Sequence, residues 1–206
     1  ALLEDNELAE IQMERSSVQR LTGNIYRGKV TSVLPGMQAA FIDIGVDKNA
    51  FLYVDDIISR KDISDGLEKV HQKAKRRNIG DVLKPGQEIT VQVVREQNGT
   101  KGPRVTTNIT LPGRCLVLLP NVDYTGVSRR IENESERSRL KNLVLKLKPE
   151  GMGLIVRTAA EGMDEEDLKK DIEFLQKLWQ SICKQEKSGA VPRCLYRDMN
   201  LVSRVF

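Results

Sequence analysis

Histidine and cysteine are nearly missing from this chain. Its 206 residues hold one histidine, His71, and three cysteines. Cys115, Cys183 and Cys194 are odd in number, widely spaced and outside any Cys-x-x-Cys. Zinc needs several converging thiolate or imidazole ligands, so this set cannot be read as a zinc site. The cysteine usage fits a reducing, cytoplasmic setting. No run of 18 apolar residues occurs and no stretch reads as a signal peptide, so no transmembrane span is expected. A dominant charge of one sign is missing too. Lys and Arg outnumber Asp and Glu by 33 to 29, an excess that permits nucleic-acid binding without demanding it. The sequence starts at Ala1, without a methionine and in mid-pattern, which leaves open whether it is a fragment.

What is present is the composition of a soluble protein, 39% hydrophobic and 30% charged. The length allows one or two domains with a sizeable core. Positive charge gathers locally. Between Arg60 and Arg77 lie seven Lys or Arg against three Asp or Glu, ending in Lys73-Ala-Lys-Arg-Arg77. For any one of these residues a solvated face is the plainer reading.

The stretch from Asn24 to Val54 organises the chain. Ile25 to Val33 alternates as a half-buried strand, Pro35-Gly36 turns, and Met37 to Ile44 returns. Gly45 to Asn49 turns again, and Ala50 to Val54 makes a third strand. Three tightly connected strands carrying Phe41, Phe51, Arg27, Lys29 and Lys48 look like the start of a small antiparallel barrel. Such barrels stack bases of single-stranded nucleic acid on aromatic rings beside a basic groove. On residue chemistry alone, Phe41 and Phe51 also read as ordinary core residues.

Gly28-Lys-Val-x-x-Val33, the Pro-Gly turn, Ala40-Phe41-Ile-Asp-Ile-Gly45 and Ala50-Phe51-Leu52 resemble the S1 RNA-binding domain of the ribonuclease E/G family. The resemblance implies an α+β chain: an S1-type OB-fold barrel inserted in an incomplete ribonuclease-H-like subdomain, followed by an α/β 5′-sensor subdomain. The expected division is 1–23 for the first ribonuclease-H-like part, 24–112 for the barrel with an insertion at 55–81, 113–188 for the sensor, and 189–206 for the return. It also implies that Phe41, Phe51 and Lys101 face RNA. Arg27 and Lys29 are expected to add to that surface.

Beyond the insertion, Gln87 to Val94 alternates as a fourth strand and Arg104 to Leu111 as a fifth, the strand count of an OB-fold. Arg114 to Leu119 is a short apolar strand. Asn133-x-x-Glu136 signals a capping box, and Leu140, Leu143, Val144 and Leu147 follow at helical spacing. Gly151 to Thr158 is a buried strand ending on arginine and threonine. Asp164 caps a helix to about Lys187, with Leu168, Ile172, Leu175, Trp179 and Ile182 as its stripe, widened by Phe174 and Leu178. Pro192 to Phe206 begins a further strand-and-helix element.

Gly113, Val117, Arg157 and Thr158 match the positions of the 5′-phosphate-sensing pocket in the resembled family, and Arg129-Arg130 could add positive field. Arginine offers a planar fork to phosphate oxygens and threonine a hydroxyl. The resemblance places catalysis elsewhere: paired magnesium-binding aspartates and a zinc-binding Cys-Pro-x-Cys between protomers, in a downstream region. Asp43, Asp55, Asp56 and Asp164 to Asp167 do not match that catalytic motif. This chain is therefore expected to hold no metal and to bind single-stranded RNA without cutting it, preferring 5′-monophosphorylated ends, within a homo-oligomeric endoribonuclease of RNA decay and rRNA processing. The alternative is a non-catalytic S1-domain protein of translation or RNA chaperoning.

Overall fold

The computed structural model describes residues 2–4, 7–10, 20–57, 78–97 and 99–198. Most of the expected insertion, including His71 and the basic run Lys73 to Arg77, lies outside the described residues, as does the end of the chain from residue 199. Strands β1 (Leu2–Glu4) and β2 (Glu7–Glu10) pair antiparallel with Glu4 opposite Glu7.

The barrel consists of β3 (Ile25–Leu34), β4 (Ala39–Asp43), β5 (Ala50–Tyr53), β6 (Glu88–Arg95) and β7 (Arg104–Thr106). They run in the order β3-β4-β5-β7-β6, and β3 also pairs with β6, so the sheet closes on itself. The alternating pattern explains the closure. Tyr26, Val30, Ala40, Ile42, Leu52, Val91, Val93 and Val105 fill the interior, while Lys29, Thr31, Tyr53 and Arg104 stay exposed. A one-turn helix, α1 (Ile79–Val82), is capped by Asn78 and lies beside β3.

The fifth strand is shorter than its hydrophobic pattern predicts. It ends at Thr106 because the Thr106 and Thr107 hydroxyls and the Thr107 N–H all donate to the Asp56 carbonyl. Buried Gln92 then donates to the Gly23 and Thr110 carbonyls and accepts from the Thr110 N–H. Those bonds carry the chain off the barrel, so Leu111 starts a strand of the next sheet.

That sheet has the order β10-β11-β9-β8, from β8 (Leu111–Pro112), β9 (Leu116–Leu119), β10 (Thr125–Val127) and β11 (Gly153–Val156). Strands β10 and β11 are parallel, joined by the crossover helix α2 (Glu134–Leu147). Leu140 and Val144 of α2 are fully buried, with Leu143 and Leu147 beside them. Asn133 caps α2 by accepting from the Ser135 and Glu136 N–H groups. The reciprocal half of the expected box is replaced. Glu136 instead takes two bonds from Arg139, at 2.7 and 2.6 Å, and one from the Gly162 N–H at 3.0 Å. Arg139 offers the carboxylate two bonds from a charged donor, where the Asn133 N–H would offer one from a neutral donor.

Helix α3 (Glu165–Glu186) is capped by Asp164, which accepts from the Asp167 N–H. Its 22 residues make a rod of about 33 Å. Leu168, Ile172, Leu175 and Ile182 are buried, and Trp179 and Leu178 pack against them. Phe174 does not join the stripe; it is 47% exposed. The strand expected after Pro192 is β12 (Arg193–Tyr196), which pairs with β3 along the edge that β4 leaves. Ile25 and Leu195 are buried in the core of the second sheet, whereas neighbouring Tyr26 points into the barrel. One strand thus serves both cores. Among the described residues, no helix is long and apolar enough to cross a membrane.

Candidate functional site

Two surfaces carry the residues singled out from the sequence. On the barrel, Phe41 and Phe51 stand directly opposite in the β4–β5 register. Their rings meet edge to face, 5.6 Å apart at 70°. Both are half-buried rather than sunk in the core. Tyr53 extends the pair: its ring lies 4.6 Å from Phe51 at 79°, and it is 39% exposed. Arg104 lies over the Tyr53 ring at 5.3 Å.

Lys101 reaches the same neighbourhood through its loop. A Cβ on Gly102 would fall 2.0 Å from the Asn49 carbonyl oxygen, so only glycine lets the two loops touch. The Phe51 N–H then donates to the Pro103 carbonyl at 2.8 Å, and the Lys48 ammonium to the Gly99 carbonyl. Lys101 and Lys29 are both exposed, and Lys29 stands opposite Asp43 and Glu88 in register. Arg27 has a different position. Its Nη1 donates to Glu186 at 2.8 Å and to Thr90 at 3.1 Å, with Glu88 at 3.5 Å from Nε. The residue expected to help hold RNA ties the barrel to the end of α3.

The second surface lies at the end of the four-stranded sheet where parallel β10 and β11 both finish. Arg157 and Thr158 follow β11, and Ser128 to Arg130 follow β10, joined to it by a bond from the Ser128 N–H to the Val156 carbonyl. Because β9 runs antiparallel, its start also lies here, opposite Val156, bringing in Gly113. Arg157 donates from Nη1 to the Gly113 carbonyl and from its main chain to the Cys115 carbonyl. Val117 sits one step into the sheet, opposite Ile155 and Pro112, and is half-buried. Arg129, Arg130, Arg157 and Thr158 are exposed. Among the described residues none of these arginines pairs with a carboxylate. Four guanidiniums, counting Arg114, therefore share one sheet end and its loops.

Asp171 of α3 shapes this end, and sequence reasoning missed it. Its carboxylate accepts the N–H groups of Arg114 at 3.2 Å and of Cys115 and Leu116 at 2.9 Å. Successive N–H groups turned to one point form an anion-binding concavity, and here the protein's own carboxylate fills it. Tyr53 had a usable signal, since it is two residues past Phe51 on one strand and so shares its face. Asp171 had none, because the contact is made only when α3 docks on β9.

The other candidate groups have separate tasks. Asp43 accepts from the Gly45 N–H, Asp56 pairs with Arg104, and Asp164 caps α3. They do not converge, and so do not fit a magnesium pair. Burial, first, pushes the thiols of Cys115, Cys183 and Cys194 up, and Asp171 adds to the effect at Cys115. That direction is opposite to the one that activates a thiolate nucleophile.

Residues 21–108 match the S1 RNA binding domain, and residues 110–206 the ribonuclease E/G family. Ribonuclease G of Haemophilus influenzae is 46% identical over 205 residues, covering 100% of this chain and 41% of its own length. Ribonuclease G of Escherichia coli strain K12 is 44% identical over 205 residues, 42% of its length. Ribonuclease E of a Nostoc species is 46% identical over 184 residues, covering 89% of this chain and 25% of its own. The chain thus spans under half the length of these relatives. It belongs to the ribonuclease E/G family, with an S1 RNA-binding domain in its first half and the family's own region in its second.

Proposed function

We propose that this chain is the RNA-binding and 5′-end-sensing region of an endoribonuclease that cleaves single-stranded RNA in RNA decay and rRNA processing in the cytoplasm. The observation that carries the reading is the gathering of Arg129, Arg130, Arg157 and Thr158 at one sheet end without carboxylate partners among the described residues. That much exposed, unpaired positive charge at one sheet end attracts an anion, and a terminal phosphate offers several oxygens to the Arg157 fork. The edge-to-face pair Phe41–Phe51, with Lys101 and Lys29 nearby, suits the bases and backbone of the following nucleotides.

Cleavage is assigned to a part of the family protein beyond the length matched here, where magnesium-binding aspartates and an inter-protomer zinc site are proposed. The whole enzyme is accordingly a homo-oligomer in this reading. The carboxylates singled out in the sequence support that division: Asp43 accepts from the Gly45 N–H, Asp56 pairs with Arg104 and Asp164 caps α3, so the three do not converge on one point.

The test is direct titration of the chain with a single-stranded RNA, its duplex, and the Phe41→Ala and Phe51→Ala variants. Each substitution is expected to weaken single-strand binding about 5- to 150-fold, the range for loss of one base–aromatic stack. Melting curves confirm that both variants fold. Wild-type affinity in both folded variants refutes the barrel as the RNA face.

A further inference from the structure

The aromatic row on the barrel does not end at Phe51. We propose that Arg104, laid over Tyr53 and held by Asp56, forms an additional base-stacking subsite beside the Phe41–Phe51 pair, taking one base of single-stranded RNA without regard to its identity. This rests on the reading of the barrel face as the single-strand surface and extends it.

Three observations carry it. The row is continuous: Phe51 and Tyr53 alternate outward on β5, and Arg104 stands opposite Phe51 in the parallel β5–β7 register. The arginine is fixed. Its Nε and Nη2 both donate to Asp56 Oδ2, at 3.0 and 2.7 Å, while its guanidinium carbon lies 5.3 Å from the Tyr53 ring centre. The row is also open, with Tyr53 39% exposed and the Arg104 side chain 47% exposed, whereas Asp56 beside it is 21% exposed.

The ion pair decides the chemistry. Asp56 offsets the Arg104 charge, so this arginine adds little field for a phosphate. What it offers is a held plane. Guanidinium planes and tyrosine rings are both surfaces on which unstacked RNA bases lie, and stacking tolerates any base because each has a π-face.

The experiment measures affinity of the full chain for single-stranded RNAs lengthened one nucleotide at a time, for wild type, Tyr53→Ala, Arg104→Lys and Phe41→Ala, at several salt concentrations. Wild type is expected to gain a step in affinity at the length that reaches the subsite. Tyr53→Ala and Arg104→Lys should lose that step, about 5- to 150-fold. Arg104→Lys keeps the charge, so its salt slope should equal that of wild type. If Tyr53→Ala fails to fold, Arg104→Lys alone decides. A full step in folded Arg104→Lys, together with a loss in Phe41→Ala, overturns the subsite and leaves the barrel reading intact. No loss in Phe41→Ala overturns the barrel reading itself.

Discussion

The Asp171 carboxylate occupies the space that a side chain at Gly113 would need. A Cβ placed on Gly113 would lie 2.6 Å from Asp171 Oδ1. The same carboxylate holds the three N–H groups that follow Gly113, and the Gly113 carbonyl in turn receives Arg157. A residue of α3 thus sets the position of the guanidinium at the sheet end.

From this, Asp171→Ala leaves three N–H groups without their acceptor and is expected to cost about 1–3 kcal/mol. Gly113→Ala, which drives the carboxylate away, should cost a similar amount. Asp171→Asn keeps an acceptor of the same shape and should cost less than Asp171→Ala. Urea unfolding measures all three. Equal stability of Asp171→Ala and wild type would contradict the clamp.

Glu136 makes the acid limb of stability testable. Its bonds from Arg139, first, and from the Gly162 N–H lower its pKa from 4.5 to about 2. A carboxylate whose folded pKa is depressed contributes stability that is present above about pH 5 and lost as pH falls towards 2. Glu136→Gln should therefore unfold more readily near neutrality, and its stability should fall less than that of wild type between pH 5 and 2. Parallel curves for the two proteins would contradict the assignment.

Replacing Arg27 and Lys101 in turn separates a structural charge from a proposed RNA-facing one. Lys101→Ala should flatten the dependence of log affinity on log salt by about 0.7, the counterion release of one contact with a single strand. Arg27, already held by Glu186, should leave that slope unchanged when replaced by alanine, while loosening the junction between barrel and α3. Thermal unfolding and RNA titration of the two variants read the difference. A slope change for Arg27→Ala as large as for Lys101→Ala would return Arg27 to the RNA surface.

Much of this was legible in the order of residues, and the exceptions share a cause. Alternation gave strands β3 to β6, because a strand with one wet face must alternate. Helical spacing gave α2 and α3 with their caps at Asn133 and Asp164. The early end of β7 was not legible, since it depends on the Asp56 carbonyl, some fifty residues away in sequence. Phe174 fits the apolar spacing yet stays exposed. Glu136 fits a capping box yet turns to Arg139. Local patterns name the candidate partners; tertiary competition picks among them. The candidate sites divide the same way: the family resemblance singles out Phe41, Phe51 and the Arg157 cluster, while Asp171, the Arg104–Tyr53 contact and the tie at Arg27 exist only once the chain has folded.

The central claim is that the sheet end bearing Arg157 and Thr158 reads RNA 5′ ends. Competition at fixed salt between short single-stranded RNAs with a 5′-monophosphate or a 5′-hydroxyl tests it most directly, on wild type and on Arg157→Lys. A charge-assisted hydrogen bond is worth about 1.5–3 kcal/mol net, so wild type should favour the monophosphate about tenfold or more. Arg157→Lys keeps the charge but loses the planar fork, and should retain general RNA affinity while losing most of that preference. Equal affinity of wild type for the two ends would contradict the account.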